Sequence, residues 1–241
     1  MYNNLMHIPI NAIHWYIGIP FTVFIGLRGL LQYRKDKNKL NQYIGLIGVF
    51  YTLCFLAYGI PALLVEDSNI LTITTVLGDI LQFVALFFMW LAVVRVYAAK
   101  KPFLKGIMLT LVVMLFFISI YLSISTNLSN PVTITQGLDG NWAVNFSFSG
   151  IYAVVTAVQY TSFLLLAFFF GSQAKFSSNM NRKVRIYSIS FILFAIGLIY
   201  VLQPALSSNL GFRTTTLLIA INIIVAGLLI AGTLLLSKKK K

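Results

Sequence analysis

Apolar residues in this chain fall in long, nearly unbroken runs. Seven such runs cover residues 8–31, 42–64, 70–96, 104–123, 150–171, 184–205 and 214–236. About 20 apolar residues in helical conformation cross the hydrocarbon core of a bilayer. The pattern predicts an all-α membrane protein, a seven-transmembrane-helix bundle forming one domain over residues 1–241. The first run is followed, not preceded, by basic residues and has no small-residue cleavage site after it. It reads as a retained helix and not as a signal peptide.

The polar stretches between the runs set an orientation. Arg28, Arg34, Lys35, Lys37 and Lys39 follow the first run; Arg95, Lys100, Lys101 and Lys105 lie between the third and fourth; Lys175, Arg182, Lys183 and Arg185 lie between the fifth and sixth; Lys238, Lys239, Lys240 and Lys241 come last. That puts 17 of the 18 basic residues on one side, with Arg213 alone on the other. Basic residues of short loops stay cytoplasmic. The expected topology has the N-terminus outside and the C-terminus cytoplasmic, in the plasma (inner) membrane.

One connection differs from the rest. Residues 124–149 are polar and fall on the predicted external side. "VTIT" (132–135) and "WAVNFSF" (142–148) alternate as strands do, around the turn-forming "GLDGN" with Gly137 and Gly140. An external β-hairpin between helices 4 and 5 is expected, with Val132, Ile134 and their neighbours pairing with part of 142–148. Asn127 and Asn145 begin N-x-S sequons and, in an external loop, are glycosylation acceptors in a glycosylating host.

Composition agrees with the pattern. The chain is 59% hydrophobic and 10% charged, with mean hydropathy +0.89, against about 45–50% apolar and about 25% charged for a soluble domain. The net charge of +13 is a topology signal. Short basic loops form no patterned basic domain, so nucleic acid is not an expected partner, whereas anionic lipid is. The one cysteine, Cys54, sits in an apolar run and reads as a small buried hydrophobe.

Against this background the polar residues inside the runs stand out. Asp79 is the only acidic residue within a span. Burying a carboxylate at bilayer depth costs about 2.5–3.5 kcal/mol or more. It is expected to face the bundle interior, with Gln82 one turn deeper on the same face. His14, Tyr58, Gln159, Tyr160, Gln203 and Asn222 fall at similar depth or nearer the outside, whereas the inner halves are mostly Leu, Ile, Val and Phe. The competing reading is helix-to-helix bonding, worth about 0.6 kcal/mol per polar contact in a membrane. Together the eight residues predict a ligand-binding pocket open to the outside.

Other chemistry lacks its residues. No His or Cys cluster suits a metal, no pair of histidines within the runs suits haem, and no lysine in the seventh run suits a Schiff base. There is no phosphate-binding glycine loop and no nucleophile elbow. No enzyme, cofactor or metal is expected.

The pair "LCFLAYGIPALLVEDSN…GDILQFVALFFMWLAVVRVY", the loop ending "GNWAVNFSFSGIYAVV" and the pair "AIGLIYVLQPALSSN" resemble, in layout and hydropathy, the seven-helix sensory region of bacterial histidine kinases and 7TM receptor-like membrane proteins. The resemblance implies a sensor that binds a small extracellular ligand and signals through a cytoplasmic or membrane protein partner. "PAL" at 61–63 recurs at 204–206, and the same shift of 143 residues carries Asp79 onto Asn222. In this respect the chain is similar to sugar transporters of 3+1+3 helix plan. A small secondary transporter is therefore the alternative expectation, and a structural subunit of a larger membrane complex is a third.

Overall fold

The computed structural model describes residues 13–64, 67–136, 142–145, 150–176, 178, 180, 183–184 and 186–202. The elements in chain order are α1 (Ile13–Asp36), α2 (Lys39–Leu64), α3 (Ser68–Tyr97), α4 (Pro102–Ser129), β1 (Thr133–Gln136), β2 (Trp142–Asn145) and α5 (Gly150–Lys175), followed by the shorter α6 (Ile186–Leu202). Among the described residues, α2, α3, α4 and α5 are long and apolar enough to cross a membrane. The chain is a multi-pass membrane protein. The seventh expected helix, 214–236, lies outside the described residues.

α1 and α2 form a tight antiparallel pair because glycines remove the side chains between them. A Cβ on Gly29 would stand 2.5 Å from the backbone nitrogen of Gly45, and one on Gly48 would strike the backbone of Gly26. Small residues permit such close backbone approach in membranes, where apolar side chains gain nothing by leaving lipid. Two hydroxyls reinforce the pair: Thr52 donates to Thr22 Oγ1 at 2.9 Å, and Tyr16 donates to the Gly59 carbonyl at 2.5 Å.

α3 is the central helix, packed against α2, α4 and α5. Asp67 caps it, accepting from the amides of Asn69 and Ile70 at 2.8 and 3.1 Å. Its buried positions include Leu71, Thr75, Asp79, Phe83, Leu86, Met89 and Val93, a three-to-four-residue recurrence that turns one face inward. α4 is peripheral. Leu111, Met114, Phe117, Tyr121 and Leu128 are exposed, while Val112, Ser119, Ser123 and Asn127 are buried. Its inward line is thus largely polar.

β1 and β2 pair antiparallel, with Thr133 opposite Asn145 and Gln136 opposite Trp142. The expected turn at 137–141 lies outside the described residues. The base of the hairpin is fixed to the start of α3. Ser68 Oγ donates to the Val132 carbonyl at 2.7 Å, and the Val132 amide donates to Thr72 Oγ1 at 2.9 Å. The Val132 side chain is fully buried in a cluster with Trp15, Cys54, Phe55, Ala62 and Leu71. The hairpin therefore sits at the end of α3 opposite Arg95.

Two expectations are corrected. Helix 4 does not end at residue 123; α4 continues to Ser129, so the connection begins at residue 130 and not at 124. The polar stretch at 124–127 is helical because Asn127 turns inward and finds its partners there. Asn127 is accordingly 2% exposed, within a helix and not in the expected loop. The remaining boundaries move by a few residues: α1 runs to Asp36 where 31 was expected, and α5 to Lys175 where 171 was expected.

Candidate functional site

Asp79 lies slightly toward the hairpin end of α3 and is 7% exposed. Side chains from three other helices converge on it. From α2, the Tyr58 hydroxyl donates to Oδ1. From α4, Ser123 Oγ donates to Oδ2 at 2.5 Å and Asn127 Nδ2 donates to Oδ2 at 3.1 Å. From α5, the Tyr152 hydroxyl donates to Oδ2 at 2.8 Å. Asn127 Nδ2 also reaches the Ser123 carbonyl at 2.9 Å, which holds the amide in place. Among the described residues no basic side chain touches the carboxylate, so four neutral donors meet it.

Local features explain how each donor arrives. Gly78 gives the Tyr58 ring room to lie on α3: a Cβ there would be 2.5 Å from Tyr58 Cε1. Trp15 stacks on the other side of Tyr58, with ring centroids 5.2 Å apart and planes 26° apart. Tyr152 stands near the start of α5, which opens at Gly150 with φ +58°, a conformation open to glycine at little cost. Phe83 packs edge-on against the Tyr152 ring at 6.4 Å. Ser119, Ser123 and Asn127 recur every four residues and so share one face of α4.

A second polar tier lies deeper in the same seam. Gln159 is 1% exposed and donates to Ser119 Oγ at 3.0 Å. Ser119 in turn donates to the Leu115 carbonyl at 2.7 Å, and Ser162 donates to the Gln159 carbonyl at 2.8 Å. Thr156 falls between Tyr152 and Gln159 on the buried face of α5. Its Oγ1 is buried with no hydrogen-bond partner among the described residues. The Tyr51 hydroxyl is likewise buried and unbonded, beside Tyr160, whose ring stacks on Tyr200 at 4.4 Å and 6°.

The candidates read from the sequence are thus divided. Asp79 and Tyr58 meet directly. Gln159 and Tyr160 belong to the deeper tier. Gln82 is only partly buried and makes no hydrogen bond among the described residues. The backbone of His14 is in α1, while its side chain, Gln203 and Asn222 lie outside the described residues. Ser123, Asn127 and Tyr152 are the residues the sequence reading missed. For Ser123 and Asn127 the signal was present as the four-residue spacing Ser119–Ser123–Asn127 in an otherwise apolar helix; Tyr152 carried none. No family model and no curated protein matches this chain.

Proposed function

We propose that the chain is a seven-helix membrane sensor, receptor-like, with its N-terminus outside and C-terminus in the cytoplasm. The hairpin would be external, and the basic ends of the helices would lie at the cytoplasmic surface of the inner membrane. A small extracellular ligand would enter from the hairpin side and act on Asp79. A cytoplasmic or membrane protein partner would read the result.

One observation carries this reading: α2, α3, α4 and α5 are joined through a single buried carboxylate. A ligand that takes even one of those four bonds changes the preferred packing of several helices together. Packed helices shift between discrete arrangements, which is how a local contact becomes a signal. A scaffold of helices alone needs no carboxylate for cohesion, because neutral polar contacts suffice in a membrane.

The test is a thermal-shift screen of small molecules on the purified protein. Stabilising compounds should share a chemistry, and Asp79→Asn should abolish their effect. Compounds that stabilise both forms equally would exclude Asp79 from the site. A second reading, a small secondary transporter, draws support from the deeper tier of Gln159, Ser119 and Ser162, which continues the polar seam inward. Accumulation of a stabilising compound in proteoliposomes would favour transport over sensing.

A further inference from the structure

We infer that Val132 is the latch of a gate: the short segment from α4 to β1 seals the hairpin-side ends of α2 and α3 above the Asp79 centre, and it releases as a unit while the helices and the hairpin stay folded. The inference rests on the proposed reading that a ligand enters from the hairpin side, and it adds what must move to admit one.

The first observation is how the segment is held. Pro131 and Thr133 are exposed, and Val132 between them is fully buried. Both backbone groups of Val132 are bonded to side chains of α3. Ser68 Oγ donates to its carbonyl at 2.7 Å, and its amide donates to Thr72 Oγ1 at 2.9 Å. The hairpin ladder begins one residue later, with Thr133 opposite Asn145. Lifting Val132 therefore breaks no rung of the hairpin and no backbone bond of α3. The Thr72 hydroxyl keeps a partner after release, because it also donates to the Ser68 carbonyl at 2.7 Å. Two hydrogen bonds and one aliphatic side chain are on the scale of a local opening and not of unfolding.

The second observation is what the segment covers. Val132 shares an apolar cluster with Trp15, Cys54, Phe55, Ala62 and Leu71. Ala62 and Leu71 stand near the hairpin-side ends of α2 and α3. Thr72 and Asp79 are both buried positions of α3; seven residues separate them, about 10 Å along a helix. Trp15, in the same cluster, stacks on Tyr58, whose hydroxyl bonds Asp79 Oδ1. The latch thus closes the end of the seam in which Asp79 lies.

The third observation is a short connection from the latch back to Asp79. Asn127, bonded to Asp79 Oδ2 at 3.1 Å, precedes Val132 by five residues. The last turn of α4 is closed by the Asn130 amide on the Thr126 carbonyl at 2.9 Å. Pro131 follows, with a fixed φ. So little chain between Asn127 and Val132 leaves little slack. Displacing Val132 draws on the turn that carries the Asn127 amide.

The experiment measures thiol labelling of purified Ala62→Cys by intact mass and peptide mapping. Native Cys54, the one cysteine of the parent, is fully buried in the same cluster but two turns further from the hairpin along α2. It serves as the internal reporter of unfolding. Position 62 should label much faster than Cys54. Adding Ser68→Ala, which removes one of the two latch bonds, should speed labelling at 62 roughly tenfold, the effect of one buried hydrogen bond on the open population, and leave Cys54 unchanged. Equal rates at 62 with and without Ser68→Ala would overturn the inference, as would acceleration of both sites in step, which is unfolding. Should Ala62→Cys not fold, hydrogen exchange of the Val132 amide in Ser68→Ala decides. That amide keeps its own Thr72 partner, so exchange should quicken roughly tenfold only if both bonds open together; an unchanged rate overturns the latch. No ligand is used, so this outcome is separate from that of the compound screen.

Discussion

Gly78 and Tyr58 are fitted to one another across the α2–α3 interface: the space a Cβ at 78 would need is filled by Tyr58 Cε1, 2.5 Å away. The consequence is chemical as well as steric, because the same ring carries the hydroxyl bonded to Asp79 Oδ1. Gly78→Ala should push the ring off α3 and break that bond. The expected loss is about 1–3 kcal/mol, the range for overpacking a core site. Tyr58→Phe should keep the packing and lose only the donor, at about 1–3 kcal/mol for a buried oxygen left without its partner. Thermal unfolding of both variants checks this; a neutral Gly78→Ala would mean that Tyr58 has room to move.

Much of this relationship could not be read from the sequence. Composition and run length were enough to give membrane-spanning helices, because lipid admits few alternatives for a polar backbone. Alternation was enough to place two strands near 132–148. Asp79 was legible because a carboxylate in an apolar run has few places to go. Of its partners, Tyr58 was legible as a polar residue at similar depth, and the other three were not. Ser123 looked like the last residue of an apolar run, and Asn127 fell in the expected loop. Only the packing of α4 on α3 reveals that they face inward. Tyr152 looked like one more aromatic near a helix end.

Asn127 yields a prediction that separates the loop reading from the helical one. An external loop asparagine in N-x-S is modified in a glycosylating host. A buried helical one bonded to Asp79 and Ser123 is out of reach of the transferase. Expression in such a host should give no glycan at Asn127, by mass spectrometry of the peptide. Asn127→Leu should cost about 1–3 kcal/mol, since the Asp79 oxygen loses a donor.

The turn between α1 and α2 should respond to acid. Asp36 is exposed and lies outside the apolar spans. Its carboxyl is held below the ordinary carboxylate range, first by the Asn38 amide at 2.9 Å, with partial desolvation opposing and the Gln32 and Asn41 amides adding to the fall. A group with a depressed folded value stabilises the fold above its unfolded value, about 3.9, and that contribution disappears as pH falls through the folded value. Hydrogen exchange at the Asn38 and Leu40 amides should therefore quicken below about pH 4. Asp36→Asn should make the rate insensitive to acid beyond the intrinsic chemistry. An equal acid response in both proteins would show that Asp36 does not hold the turn.

The proposed orientation rests on the basic ends of the helices. The hairpin base is tied to Ser68 and Thr72 at the start of α3, and Arg95 stands at its far end. With 17 of 18 basic residues predicted on the far side, reporter fusions after Lys39, Lys101 and Lys183 should report cytoplasm. A fusion at Asp139 should report the outside. A cytoplasmic signal at Asp139 would contradict the proposed orientation.

The strongest demand falls on Asp79 itself. Asn at this position keeps the size and one acceptor oxygen. Placed at the Oδ2 position, that oxygen still accepts from Ser123, Asn127 and Tyr152. The new amide faces Tyr58, whose hydroxyl accepts as readily as it donates. Asp79→Asn should therefore fold, with a helical content matching the parent by circular dichroism. Leu at the same position offers no acceptor. Ser123, Asn127, Tyr58 and Tyr152 would all point hydrogens at a hydrocarbon side chain, and each unpaired buried donor costs about 1–3 kcal/mol. Three of the four come from α4 and α5, which apart from the Tyr97 hydroxyl on the Leu165 carbonyl pack on α3 mainly through apolar side chains, so the loss should loosen α4 and α5 from α3 before it unfolds any single helix. Asp79→Leu should purify poorly or unfold many degrees below Asp79→Asn. Equal unfolding temperatures for the two variants would mean that the four bonds contribute nothing to holding the helices together.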